Sequence, residues 1–307
     1  MFKSFHLKYL ILPLCWLGVN VYAIDSQSEV CTDYQSCLPR AQANIPAAQY
    51  NLGISYYNGL GVSIDKKKAI TWFLKAAQQN YAPAQNYLGA MYFYGIGTDK
   101  DTKKAFNWYE RAANNNDPNA QYNLAMQYMQ GLGVTQSYSQ AAVWLDKSAT
   151  QNMPKAQGQL GLLYIKGLGV PKNSEKAADL FAQAARSGDV NAQNNLAYCY
   201  MKGIGIKKNT DTATYWYKQA ATHGSSNAQY ALGLLYANGA GVEKDPVQAY
   251  AWLNIVSYQV SDKEKSLVEN EKHKVFGLLT TEQQKQAETL TQQYWDDYVK
   301  PFIKNKR

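Results

Sequence analysis

The chain has 307 residues, 46% of them hydrophobic, and a formal net charge of +8. That apolar content can fill a sizeable core and excludes an intrinsically disordered chain. Lysine and arginine are scattered rather than gathered in blocks, which argues against a nucleic-acid partner.

The first 23 residues place Lys3 and Lys8 ahead of an apolar run from Tyr9 to Val21 and end in Val21-Tyr22-Ala23. A basic start, a short apolar segment and small residues at the cleavage positions predict a signal peptide over residues 1–23. A retained anchor would need about 20 apolar residues. No later stretch is that long and apolar, so no stable membrane insertion is expected after cleavage. The mature protein is then expected in the periplasm or secreted.

Residues 24–47 read as an N-terminal cap, the remnant of a leading second helix with Asn44 in phase with later stop residues. Cleavage would leave Cys31, Cys37 and Cys199. In an oxidising compartment Cys31 and Cys37 are expected to pair. Along an unbroken helix six residues rise about 9 Å, too far for a disulfide, so the pair requires a bend, for which Pro39 is at hand. Cys199 reads as a small buried thiol.

From residue 48 to 259 the chain repeats itself. Ala-Gln recurs at 48, 84, 120, 156, 192 and 228, a constant period of 36, with leucine four residues and tyrosine eight residues after each alanine. Six undisplaced copies define a repeat architecture. Offsets 0, 4, 5 and 8 fall on one face of a helix, here called helix A, which paired glycines end, from Gly59 and Gly61 to Gly239 and Gly241.

A second helix, B, is announced by capping residues at Asp65, Asp101, Ser137, Asn173, Asn209 and Asp245. Alanine at 69, 105, 141, 177, 213 and 249 is followed three residues on by Trp72, Trp108, Trp144, Leu180, Trp216 and Trp252, a small-against-large packing pattern. Helix B is expected to stop at Asn80, Asn116, Asn152, Gly188 and Gly224, types that tolerate a left-handed backbone. Two such helices cannot bury their apolar faces alone. The copies must therefore stack, which predicts an all-α, right-handed superhelical solenoid of about six helix-turn-helix repeats.

Residues 260–307 read as C-terminal capping helices and a basic tail. Asp262 is expected to cap a helix to about Gly277, and Thr280 or Thr281 another to about Tyr298, with Ala287, Leu290 and Tyr294 on one face. Pro301 and the tail Lys304-Asn305-Lys306-Arg307 follow.

The unit Ala-Gln, Leu-Gly, Tyr, Gly-x-Gly-Val, Asp, Lys-Ala, Trp, Lys-Ala-Ala resembles the Sel-one-like repeat (SLR) family of tetratricopeptide-like solenoids over about residues 45–257. The stretch from Leu279 through Trp295 is similar to the closing helix of many bacterial members. Thr98, Leu180 and Ser148 depart from the pattern. The resemblance implies an adaptor without enzymatic activity, its exported bacterial members being linked to envelope processes or host interaction. Cysteine-rich relatives, described as penicillin-binding or β-lactamase-like, carry a cysteine pair in every repeat, which this chain lacks.

The residues themselves offer little chemistry. A phosphate loop needs a strand before its glycines and Gly-Lys-Ser/Thr after them, whereas these glycines follow a helix and lead to Val, Ile or Thr. His223 and His273 stand in different units with no zinc-ligand spacing, and His223 reads as a cation at a helix end. No Gly-x-Ser-x-Gly motif is present. No metal, cofactor or catalytic residue is therefore expected.

A binding face is expected instead. Helix A offsets 2, 6, 9 and 10 lie opposite its invariant positions and, by analogy with tetratricopeptide units, line a concave groove. The candidate contacts are Tyr50, Tyr57, Asn86, Phe93, Tyr94, Tyr122, Met129, Asn194, Tyr198, Met201 and Tyr230. Rings, amides and thioethers with little charge suit a protein or extended peptide, bound by a monomer. Packing of offsets 6 and 9 against neighbouring A helices stays open as an alternative. So do two other functions: a cell-wall or β-lactam hydrolase, and a binder of anionic envelope glycans.

Overall fold

The computed structural model describes residues 31–303. The signal peptide expected over residues 1–23 and the tail from Lys304 to Arg307 lie outside the described residues. Every regular element among the described residues is helical. A short α1 (Tyr34–Gln42) leads into six A/B pairs: α2 (Pro46–Asn58) with α3 (Lys66–Gln78), α4 (Ala82–Tyr94) with α5 (Thr102–Asn114), and α6 (Pro118–Gln130) with α7 (Tyr138–Thr150). Then come α8 (Pro154–Lys166) with α9 (Ser174–Arg186), α10 (Val190–Lys202) with α11 (Thr210–Thr222), and α12 (Ser226–Asn238) with α13 (Pro246–Ser257). The chain closes with α14 (Asp262–Phe276), α15 (Thr281–Tyr298) and α16 (Lys300–Ile303).

Local chemistry accounts for these boundaries. All six expected B-helix caps accept a hydrogen bond from a backbone amide in the first turn. Asn80, Asn116, Asn152, Gly188 and Gly224 all have positive φ just beyond the B helices, and so does Asn44 beyond α1. α1 thus stands where a preceding helix B would. One expected start shifts by a residue: Ser261 rather than Asp262 precedes α14, and the Glu264 carboxylate accepts from the Ser261 amide and hydroxyl.

The bend expected near Pro39 also moves. Pro39 lies inside α1, whereas Cys31 precedes the Asp33 cap that starts it. The turn at the cap brings Cys31 and Cys37 to a Cα separation of 4.9 Å, with their sulfurs 2.12 Å apart.

Each unit's core is built from the offset-4 leucine, small alanines, and the residue immediately after the tryptophan position: Phe73, Tyr109, Leu145, Phe181, Tyr217 and Leu253, all buried. A Cβ at Gly53 would lie 2.6 Å from the Phe73 ring, so the small residue at offset 5 makes room for it. The tryptophans lie between units. Trp108 packs on the cluster around Phe73 and Ala76, and Trp144 on that around Tyr109 and Ala112. In the last unit α15 folds back on α13, and Tyr294 and Tyr298 cover Trp252 at centroid distances of 4.3 and 5.6 Å.

The glutamine of each Ala-Gln pair ties the stack together. Gln49, Gln85, Gln121, Gln157, Gln193 and Gln229 are buried, and each donates from Nε2 to the carbonyl of the alanine eight residues earlier, at the end of the preceding helix B. In four units the Oε1 then accepts from a side-chain amide 30 residues later: Gln79, Asn115, Gln151 or Gln259, at 2.8 to 2.9 Å. The chain breaks this ladder twice. Ser187 and His223 occupy the donor positions opposite Gln157 and Gln193, and both Oε1 atoms are buried without a partner.

Candidate partner-binding site

The expected groove residues divide by offset. Offset 10 is the outermost: Asn58, Tyr94, Lys166, Lys202 and Asn238 are exposed, Tyr94 to 40%. Offset 2 is half-buried throughout because adjacent A helices touch there. Tyr50 packs on Phe73, Tyr81 and Tyr87 with centroids 5.5 to 5.8 Å apart. Asn86 accepts from the Asn123 amide of the next A helix at 3.0 Å.

At offset 9, Met129 is 7% exposed and belongs to the core cluster of its unit, so it is not a surface contact. A long flexible side chain there fills the gap beneath the neighbouring helix. Tyr57 packs on Tyr87 at 6.3 Å, and the Lys66 ammonium sits 3.4 Å from the Tyr57 ring centroid. Burial raises the Tyr57 pKa and lowers that of Lys66. Lys66 is thus part of the packing. Met201 and Tyr230 are half-buried against their units' cores, Asn194 is half-buried, and Tyr198 is 46% exposed. Burial, with the charge of Glu271 adding to it, raises the Tyr230 pKa to about 12.

Three expected contacts converge. Phe93 and Tyr94 at the end of α4 and Tyr122 on α6 line one open surface cleft whose cavity volume is about 40 Å³. The Phe93 and Tyr94 rings meet edge to face at 4.9 Å. Met126, at offset 6, shares the lining, as do Tyr109, Asn123, Gln127 and Lys155, which the sequence did not single out. Lys155 stands on α8 and Lys100 lies 5.9 Å from the Phe93 ring centroid, while no lining residue is acidic. One signal for Gln127 was available: offset 7 holds Ser55, Met91, Leu163, Cys199 and Leu235 elsewhere.

Among the described residues no group of three or more His, Cys, Asp or Glu could hold a metal ion. Burial lifts the Cys199 thiol to about 11, far from the lowered pKa of a reactive cysteine. The His223 imidazole, at the end of α11, has its Nδ1 2.7 Å from the Gln219 carbonyl. No helix among the described residues is long and apolar enough to cross a membrane.

Comparison with known proteins supports the repeat. The Sel1 repeat family model matches residues 46–81, 82–117, 118–153, 154–189, 190–225 and 226–255. The crystal structure of a Sel1 repeat protein from Oxalobacter formigenes is similar at 36% identity and a TM-score of 0.66, over 73% of this chain and 90% of that one. A protective antigen of uropathogenic Escherichia coli displaying an SLR fold shares 29% identity at a TM-score of 0.41, over 87% of this chain and 72% of its own. A comparison with curated proteins finds no match. With six consecutive units matched across more than half its length, the chain belongs to the Sel1 repeat family.

Proposed function

We propose that this protein is an exported scaffold that holds a protein or extended peptide on its helix A face and performs no chemistry itself. Sel1 repeat proteins generally mediate protein–protein interaction and are generally non-enzymatic. The observation that carries the reading to a place on this chain is the acid-free cleft where Phe93, Tyr94 and Tyr122 meet. Aromatic side chains on a pre-formed concave surface supply contact area at small entropic loss, as binding anchors do. The basic, apolar leader and the close Cys31–Cys37 pair both suit an oxidising compartment outside the cytoplasm.

Tyr94→Ala tests the anchor, because the ring is 40% exposed and its loss should leave the fold intact. Capture of partner from envelope extracts should fall at least tenfold, the scale of a truncated aromatic anchor. Val143→Ala, on the B face at 49% exposure, should leave capture unchanged. Undiminished capture by the Tyr94 variant, with the melting temperature preserved, would remove the cleft from the function.

A further inference from the structure

Two neighbouring loops break the charge pattern of the repeat. The loop after α8 reads Lys166-Gly-Leu-Gly-Val-Pro-Lys172-Asn173, and the loop after α10 reads Lys202-Gly-Ile-Gly-Ile-Lys207-Lys208-Asn209. Neither contains a carboxylate. The second and sixth units also place a lysine in this loop, Lys100 or Lys244, but flank it with Asp99 and Asp101 or with Glu243 and Asp245. In the fourth and fifth units the helix B cap is asparagine instead. Asn173 and Asn209 keep the bond from the first-turn amide, at 2.9 Å in both, and carry no charge. Nor does the helix end demand a lysine ahead of its glycine, since Asn58, Tyr94, Gln130 and Asn238 stand there in the other units.

All five lysines of the two loops are exposed. Among the described residues Lys166, Lys172, Lys207 and Lys208 form no ion pair, whereas Lys68 and Lys104 each reach their cap aspartate at 3.5 Å. The Lys172 Cβ lies 3.4 Å from where a Gly167 Cβ would stand, and the Lys208 Cβ 3.4 Å from the same place at Gly203, so lysines bracket each helix end. The two loops also touch. A Cβ at Gly205 would lie 1.9 Å from the Ser174 carbonyl oxygen, one residue beyond Asn173. Like charges gathered in this way repel one another, and such departures from a local pattern concentrate at functional sites.

We propose that these loops are a docking surface for an acidic segment of a partner protein, whose carboxylates pair with Lys166 and Lys172 on one loop and with Lys207 and Lys208 on the next. This names the partner chemistry for the scaffold proposed above and rests on that reading, though not on the Phe93 cleft. Lys166 and Lys202 occupy offset 10, so a segment seated here is continuous with the helix A face. The carboxylates nearest in sequence, Glu175 and Asp211 in the first turns of α9 and α11, are outnumbered by the five lysines, which favours a negative partner. Packed helices stand about 10 Å apart. A polyproline-II segment advances about 9 Å in three residues and returns its side chains to the same side. Acidic residues three apart therefore meet successive loops.

Fluorescence anisotropy of labelled acetyl-Glu-Glu-Ser-Glu-Glu-Ser-Glu-Glu-amide, titrated with the intact protein, reads this directly. The peptide should bind at about 20 mM salt and be released at about 500 mM. Its glutamine counterpart should not bind. Lys166→Gln with Lys172→Gln, which copies Gln130 and Gln136 of the third unit, should weaken binding about fivefold. Lys67→Gln with Lys103→Gln removes as much charge from exposed positions in the first two units, and should change binding by less than about twofold. Equal losses from the two double variants, or none from the first, would reduce the patch to general basic attraction and overturn the proposal. Tighter binding of alginate, a carboxylated polysaccharide, at equal carboxylate concentration would overturn it in favour of a glycan. No binding of the peptide while partner capture still depends on Tyr94 would overturn it and spare the scaffold, whereas loss of Tyr94 dependence rejects the cleft and leaves this surface standing.

Discussion

A single amide shows how much one residue does in this molecule. Gln121 bonds to the Ala113 carbonyl, Asn116 and Gln151, linking three consecutive stretches of chain. Gln121→Ala would strand the buried Ala113 carbonyl, while Asn116 and Gln151 keep their bond to each other, and a loss of about 1–3 kcal/mol is expected in denaturant titration. The reverse experiment is Ser187→Gln, which returns a donor to Gln157 Oε1 and should add about 1 kcal/mol. Asp117 has a different signature. Burial raises its pKa, more than the bond from the Ala120 amide lowers it. The native state then holds its proton to higher pH than the unfolded chain does. Stability should therefore fall as pH rises from about 4, the ordinary carboxyl value, to the raised one, and stay lower above it. Asp117→Asn keeps an acceptor at the cap while removing the charge. Melting curves across pH should show that fall reduced and the variant more stable at pH 7; an unchanged profile would place the titration elsewhere.

At the scale of the helix, short-range signals made most boundaries legible, because a cap or a left-handed stop depends on a few adjacent atoms. Asp65 through Asp245 and Asn44 through Gly224 therefore read correctly from sequence. Side-chain destinations were harder. A helical wheel assigned Tyr50 to an open face and left Met129, at offset 9, between that face and packing on a neighbour; Tyr50 is half-buried against Tyr87 of the next A helix and Met129 lies in the core, and a wheel alone contains no neighbour. The glutamine ladder was visible as a recurrence but not as a bond, since its donor stands 30 residues away. The paired glycines separate two effects that sequence merges. Gly131 has φ 69° with its nearest prospective Cβ contact at 3.4 Å, whereas Gly133 has φ 78° and a Cβ there would lie 2.2 Å from the Thr102 carbonyl oxygen. Gly131→Ala should cost about 1 kcal/mol for the left-handed backbone. Gly133→Ala should cost at least twice that, since the α5 backbone must also move away; equal melting shifts would contradict the close approach. At the N-terminal end, opening the Cys31–Cys37 pair should loosen α1, by about 2 kcal/mol in the chain-entropy view of a short loop. Hydrogen exchange under reduction should rise in α1 and α2 and stay unchanged in α10.

The whole molecule is a row of near-identical joints, so its stability is a sum of unit and neighbour terms rather than the property of one core. Two joints lack the amide bridge, at Gln157 and Gln193, and they fall together in the fourth and fifth units. Native-state hydrogen exchange should find its lowest barriers to partial opening there. The C-terminal helix closes the row by covering Trp252, while Trp72, Trp108 and Trp144 keep cations over their rings at 3.9 to 4.9 Å. The helix A face carries the proposed cleft, and on the helix B face three tryptophan rings lie beneath lysine or arginine. The difference between the faces is the centre of the functional reading, and site-specific photo-crosslinking in the native host measures it. A photoreactive residue in place of Tyr94 should yield a discrete partner adduct, while the same residue in place of Val143 should yield none. Adducts from position 143 with none from position 94 would contradict the reading.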